Sequence, residues 1–162
     1  VKLNPIPSDI AAFVAYDPET GILTCKTQWS PRVPVGATLG TMTDDGYVYC
    51  RFRYKSYGAH RLAFYLMTGV QPGLIDHKDG HRSNNRWSNL RPANRSLNGA
   101  NRRHEGVLLK GVRRLTRSDR FEARIGARSK RKSLGYFDTE QEAHAAYCRA
   151  AVEWYGEFAR FA

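Results

Sequence analysis

Asp76-His77-Lys78-Asp79-Gly80, followed by Asn84-Asn85-Arg86 and Asn89-Leu90-Arg91, is the stretch on which the reading of this chain turns. It sets a carboxylate directly beside an imidazole, then a run of carboxamides among arginines. An aspartate holds a hard cation through oxygen. A neutral histidine takes a proton from water near pH 7. Arginine excess attracts a polyanion. These are the parts that metal-dependent hydrolysis of a phosphodiester requires.

The segments around that stretch give it a scaffold. Residues 74–93 read as two short strands around a polar loop, with Ile75 and Leu90 entering a core. Ser96 is the expected N-cap of a helix running through Arg103. Just upstream, His60 to Thr68 reads as a short helix, with Leu62, Ala63, Leu66 and Met67 at helical spacing and Gly69 ending it. In the order strand, loop, strand, helix, the last helix folds back over the first strand. His77 is then the candidate base and Asp76 the candidate metal ligand. Asn98 is the expected second ligand, with Asn101 as the alternative. Two protein oxygens completed by waters and phosphate oxygens suit Mg²⁺.

Residues 1–58 read as short strands and turns. Asp17-Pro18-Glu19-Thr20-Gly21 is a turn, Ile22 to Lys26 a strand, and Asp44-Asp45-Gly46 a hairpin signal leading into a strand from Tyr47 to Tyr54. Arg51 and Arg53 alternate there with Cys50 and Phe52, so one face is expected to be basic. After a linker at Glu105 to Leu109 the strand pattern restarts. Lys110 to Leu115, Phe121 to Ala127 and Lys132 to Phe137 are three strands, with turns near Ser118-Asp119 and Ser129-Lys130. Along the middle one, Phe121, Ala123, Ile125 and Ala127 share one face, and Glu122, Arg124, Gly126 and Arg128 the other. Asp138 or Thr139 caps a final helix, with Glu142 as capping-box partner to Thr139. Its apolar stripe is Ala143, Ala146, Tyr147, Ala150, Ala151 and Trp154, and Gly156 stops it.

Composition narrows the partner. The 162 residues carry a formal net charge of +11 and are 41% hydrophobic, which points to a folded, nucleic-acid-binding protein. Residues 1–50 hold 3 basic and 5 acidic side chains, residues 51–106 hold 11 and 3, and residues 107–162 hold 12 and 7. The binding surface therefore belongs to the last two thirds. No apolar run approaches the roughly 18–20 residues of a spanning helix, and no secretory leader is read. A cytoplasmic, intracellular protein is expected. Cys25, Cys50 and Cys148 form no C-x-x-C pair, which argues against a structural zinc site. Cys25 and Cys50 are read as two buried thiols.

Two resemblances sharpen the expectation. Asp76-His77-x-Asp79-Gly80, Asn84-Asn85-Arg86, Asn89-Leu90-Arg91 and Asn98-x-x-Asn101-Arg102 resemble the HNH endonuclease family of the phage and intron homing type. His60-Arg61-Leu62-Ala63 and the strand-rich arm before it match that group's layout. The resemblance implies a ββα-metal core with His77 as general base, Asp76 and Asn98 as metal ligands, and Asn89 fixing the loop and holding the base. His81 departs from it, standing where such sequences often have Asn. Residues 110–156 resemble an AP2 DNA-binding domain, through Lys110-Gly111-Val112-Arg113-Arg114, Phe121 to Ile125, Leu134 to Thr139 and Glu142 to Tyr147. That resemblance implies a three-stranded antiparallel sheet packed on one helix, entering the major groove. Leu115, Gly126 and Ser133 depart from the plant-type pattern, so its target sequence does not carry over.

The expected architecture is α+β. It comprises a β-rich N-terminal region (1–58), an HNH core (59–104), a linker (105–109) and an AP2-like domain (110–162). The expected DNA contacts are Arg51, Arg53, Lys110, Arg113, Arg114, Arg124 and Arg131. The expected cofactor is Mg²⁺ or another divalent cation such as Mn²⁺. The expected partner is double-stranded DNA, bound by a monomer or weak dimer. The competing expectation is a non-catalytic DNA-binding regulator. An RNA-binding protein is disfavoured, because the basic face lacks stacking aromatics.

Overall fold

The computed structural model describes residues 4–102, 104–127 and 130–161. Among them are four α-helices and four small sheets, a mixed α+β fold. The chain divides into two compact units, one running to Pro92 and the other starting at Ala93. No helix among the described residues is long and apolar enough to cross a membrane.

The first unit opens on a single helical turn, α1 (Ile10–Phe13), where only strands and turns were expected. Ile10 is fully buried and anchors it. Strands β1 (Val14–Tyr16), β2 (Leu23–Cys25) and β3 (Thr38–Leu39) form one sheet. The β1–β2 turn forms as read. Asp17 accepts from the Glu19 amide at 2.9 Å and the Thr20 hydroxyl at 2.7 Å, and Gly21 takes φ +77°. Strands β4 (Thr41–Met42), β5 (Val48–Phe52) and β6 (Lys55–Gly58) form the second sheet. Its first hairpin turns at Asp44-Asp45-Gly46, as expected.

The second hairpin corrects the strand reading. β5 ends at Phe52, and Arg53 and Tyr54 are turn residues with φ 45° and 66°. Arg53 therefore leaves the alternating face on which Arg51 lies. Its guanidinium lies 4.9 Å from the Phe13 ring centre and 4.8 Å from that of Phe52, and pairs with Asp9 at 2.8 Å. The common core joins Ile6, Ile10, Val14, Leu23, Cys50, Phe52, Tyr57, Ala59 and Leu62. Cys25 and Cys50 are buried free thiols, as expected.

Helix α2 (Ala59–Thr68) follows β6 directly and ends at Gly69 in the left-handed region, φ 71°. Its buried face is Ala59, Leu62 and Ala63; Met67, assigned to that stripe from its spacing, is exposed. Ala63 packs on Ile75 and Leu90, with Tyr16 and Phe64 beside them. This contact lays α2 over a two-stranded ribbon of β7 (Leu74–His77) and β8 (Leu90–Ala93).

The second unit begins with α3 (Arg95–Ala100). Its N-cap is Asn94, not Ser96; the Asn94 carboxamide oxygen accepts from the amides of Ser96 and Leu97, both at 2.9 Å. The helix ends at Ala100, and Arg103 lies outside the described residues. Strands β9 (Val112–Arg114), β10 (Phe121–Ala127) and β11 (Lys130–Phe137) form an antiparallel sheet with β10 central. Helix α4 (Glu140–Tyr155) packs on it. Thr139 caps α4 in a full capping box with Glu142, and Gly156 closes it. Ala123 meets Ala143 and Ala146, and Ile125 meets Tyr147 and Ala151; the alanines permit close approach. Trp154 leaves the stripe and is exposed, with the Lys132 ammonium 5.8 Å from its ring centre. The expected turn at Ser129 and the outward placement of Arg128 fall outside the described residues.

Candidate active site

The β7–β8 ribbon presents the two residues on which the sequence reading rests. Successive strand residues face opposite sides, and the partners of Asp76 and His77 differ accordingly. Lys78 N donates to Asn89 O at 2.9 Å, a register that sets Asp76 across from Arg91. Arg91 Nη2 lies 2.8 Å from Asp76 Oδ2, and Arg91 Nε donates to the same oxygen at 2.9 Å. The pair is buried, with side chains 6% and 5% exposed.

His77 is 4% exposed. Its Nε2 is 3.2 Å from Asn85 Oδ1. Asn85 Nδ2 donates to Ser83 O at 3.2 Å, which fixes the amide with its oxygen toward the imidazole. Nε2 then carries the proton and Nδ1 the basic lone pair. The His60 ring packs edge-on, 5.3 Å from that of His77, and Tyr47 lies 6.1 Å from His77. Burial pulls the His77 pKa below the ordinary histidine value, although the Asn85 bond and the charges of Asp79 and Asp76 pull it back up. His60 is pushed down to about 3 by burial, then by His77 and Arg61. Both rings are therefore neutral at pH 7, the state in which His77 can accept a proton.

The loop between the strands is tied by one carboxylate and two carboxamides. Asp79 Oδ1 accepts from His81 N at 2.7 Å and from Asn89 Nδ2 at 3.0 Å; its Oδ2 accepts from Asn84 Nδ2 at 2.7 Å. Asp79 N donates to Asn89 Oδ1 at 3.0 Å, and Asn89 Nδ2 reaches Asn84 O at 2.8 Å. Burial raises the Asp79 pKa, but these hydrogen bonds outweigh it and hold the carboxyl below the usual aspartate value. Arg82 closes the loop on the β4–β5 turn, donating to Asp45 O at 2.7 Å with its guanidinium 5.0 Å from the Tyr47 ring centre. Asn89 thus fixes the loop, while the side chain on the His77 ring is that of Asn85. The spacing of the carboxamides did not separate these two tasks.

Asn98 is half-buried in the middle of α3, and Asn101 is buried at its C-cap. Because Asn94 holds the N-cap, capping is not the task of Asn98. Lys110, expected on the DNA face, turns inward. Its Nζ donates to Ala100 O at 2.8 Å and Arg102 O at 2.7 Å, closing the C-terminal end of α3. Burial, with the charge of Arg160, pushes its pKa down to about 8.

On the outer face of the β9–β11 sheet, Glu122 sits between two arginines. Arg113 Nε is 3.1 Å from Glu122 Oε2 and Arg124 Nε is 4.0 Å from it. Arg114 pairs with Asp119 at 2.9 Å and stays exposed, as does Arg131. Arg51 is exposed on β5.

A family model described as HNH endonuclease matches residues 57–100. The matched segment covers α2, both strands of the ribbon and α3, and supports an HNH nuclease acting on DNA. No curated protein and no solved structure matches the chain.

Proposed function

We propose that this chain is a metal-dependent endonuclease of the homing type that hydrolyses phosphodiester bonds in double-stranded DNA. The observation that carries the reading is the end of β7. There Asp76 and a neutral His77, held at Nε2 by Asn85, follow one another in sequence within the segment that matches HNH endonucleases. The proposed layout is a β-rich region to residue 58, a nuclease core at 59–104, a linker at 105–109 and an AP2-like DNA-binding domain at 110–162. The three-stranded sheet with α4 on one face and arginines on the other supports the last assignment.

In this reading His77 takes the proton of the attacking water at Nδ1. The Asp79–Asn84–Asn89 knot keeps the loop from shifting under it. Arg91 orients Asp76, leaving the carboxylate directed by two bonds on one oxygen. A divalent cation, Mg²⁺ or Mn²⁺, is assigned to Asp76 and Asn98. A carboxylate and a carboxamide are the hard oxygen donors such an ion takes. When bound, the ion supplies Lewis acidity to the scissile phosphate and charge to the leaving oxygen.

Arg51, Arg113, Arg114, Arg124 and Arg131 are the proposed DNA contacts. Arg53, half-exposed and paired with one carboxylate as Arg113 and Arg114 are, is a further proposed contact, whereas Lys110 is left out because its ammonium is engaged on the α3 carbonyls. Replacing Arg113 and Arg124 together should weaken binding and flatten the slope of log K against log salt by about one to two. An unchanged slope removes the sheet from the interface.

The direct test is incubation with supercoiled plasmid, with Mg²⁺ and with EDTA. Nicked or linear DNA is expected with the metal and none with the chelator. The ion pair of Asp76 with Arg91 favours one rival, a regulator that binds DNA without cutting it. Binding without any cleavage in Mg²⁺ or Mn²⁺ would establish that rival instead.

A further inference from the structure

We infer that the N-terminal β1–β2 hairpin is part of the active centre: Tyr16 and Gly21 clamp the Asn85 peptide so that the Asn85 side chain holds His77 in a single tautomer and orientation. The inference rests on the proposed nuclease role of His77 and adds positioning residues that lie far from it in sequence.

Three contacts converge on one stretch of backbone. Tyr16 Oη donates to Asn85 O at 2.7 Å. Trp87 N donates to Pro18 O at 3.0 Å. Between them Gly21 lies so close that an added Cβ would stand 2.5 Å from both Asn85 C and Arg86 N. Only glycine permits that approach, and its φ of +77° would strain a side chain there for a second reason. The hairpin thus holds the 85–87 backbone by two hydrogen bonds and one steric contact.

The clamped residue is the one that touches the base. Asn85 is buried, and both ends of its carboxamide are committed: Nδ2 to Ser83 O and Oδ1 to His77 Nε2. Its side chain has two rotatable bonds, so the position of its Cα sets where Oδ1 falls. A shift of that peptide moves the oxygen off Nε2 and removes what selects the Nε2–H tautomer. The Tyr16 hydroxyl is a dependable donor, since burial, aided by Asp17, pushes its pKa up to about 12. The Tyr16 ring packs with Ala63, Ile75 and Leu90, so removing the hydroxyl alone leaves the packing in place.

The test uses the full chain carrying Tyr16→Phe, Asn85→Ala or Gly21→Ala. The first readout is the imidazole ¹⁵N signature of His77 by NMR, in metal-free protein at a pH where the ring is neutral. The second is single-turnover plasmid cleavage in Mg²⁺, with DNA affinity measured in EDTA. The wild type should show the Nε2–H tautomer. Tyr16→Phe and Asn85→Ala should both show mixed tautomers. Their cleavage should slow by about 10-fold and about 100-fold respectively, as expected for a misplaced catalytic group, with DNA affinity unchanged. Restoring an amide at position 85 with Asn85→Gln should recover part of the rate lost in Asn85→Ala. A His77 signature that Tyr16→Phe and Asn85→Ala leave intact overturns the inference, whatever the rates do. So does a changed signature without slower cleavage. If Gly21→Ala fails to fold, Tyr16→Phe, which removes one oxygen atom, still decides. A wild type that does not cleave refutes the nuclease reading, while the ¹⁵N signature still decides whether the clamp holds the ring.

Discussion

Replacing His77 with alanine should abolish cleavage while DNA binding stays nearly intact. The expected loss is about 100- to 10,000-fold, the usual contribution of a positioned proton acceptor. The side chain is buried against Asn85, His60 and Tyr47 and lies on no surface that the proposed DNA contacts share. Its removal therefore should not alter affinity measured in EDTA. A single-turnover assay on plasmid reads the rate, and a filter or anisotropy assay reads the binding. Cleavage by the variant near the wild-type rate would exclude His77 as the base.

Arg91→Ala should be the most destabilising single change in the ribbon. It leaves the Asp76 carboxylate in a buried site without the cation that contacts it twice. Breaking a buried pair on one side costs about 3–5 kcal/mol. Equilibrium urea unfolding measures it. The double variant Asp76→Ala/Arg91→Ala should be less destabilised than Arg91→Ala alone, since it removes both charges together. If the double variant is the weaker of the two, the pair is not the source of the loss.

The ribbon and its loop were legible in the sequence because their determinants are local. Asp79-Gly80 dictates a turn, the carboxamides at 84 and 89 lie within reach of Asp79, and Ile75 and Leu90 mark the buried face. The α4 capping box and the alternation of Ala123 and Ile125 were readable for the same reason. Other features depend on geometry that spacing does not carry. Asn94 and Ser96 are both good caps, and the extended backbone at Asn94, with Ser96 already inside the helix, decides between them. Arg53-Tyr54 contains neither Gly nor Asn, so the strand alternation read straight through a turn. Asn85 was indistinguishable from Asn84 until the direction of the His77 ring was known. Tyr16 meets Asn85 across 69 residues, a separation that no periodicity reveals. The inward turn of Lys110 follows from where α3 ends, which the sequence placed later.

Glu122, wedged between Arg113 and Arg124, would give the sheet, as the proposed DNA-binding surface, a built-in competitor for its own ligand. An approaching phosphate would have to share those cations with a carboxylate that never diffuses away. That burden falls equally on every stretch of duplex and weakens casual adhesion. Glu122 meets Arg113 at Nε, and a guanine edge takes a guanidinium through two parallel bonds, a geometry that a single phosphate oxygen lacks. In the proposed complex the acidic residue at the centre of a cationic surface would thereby favour discrimination over stickiness.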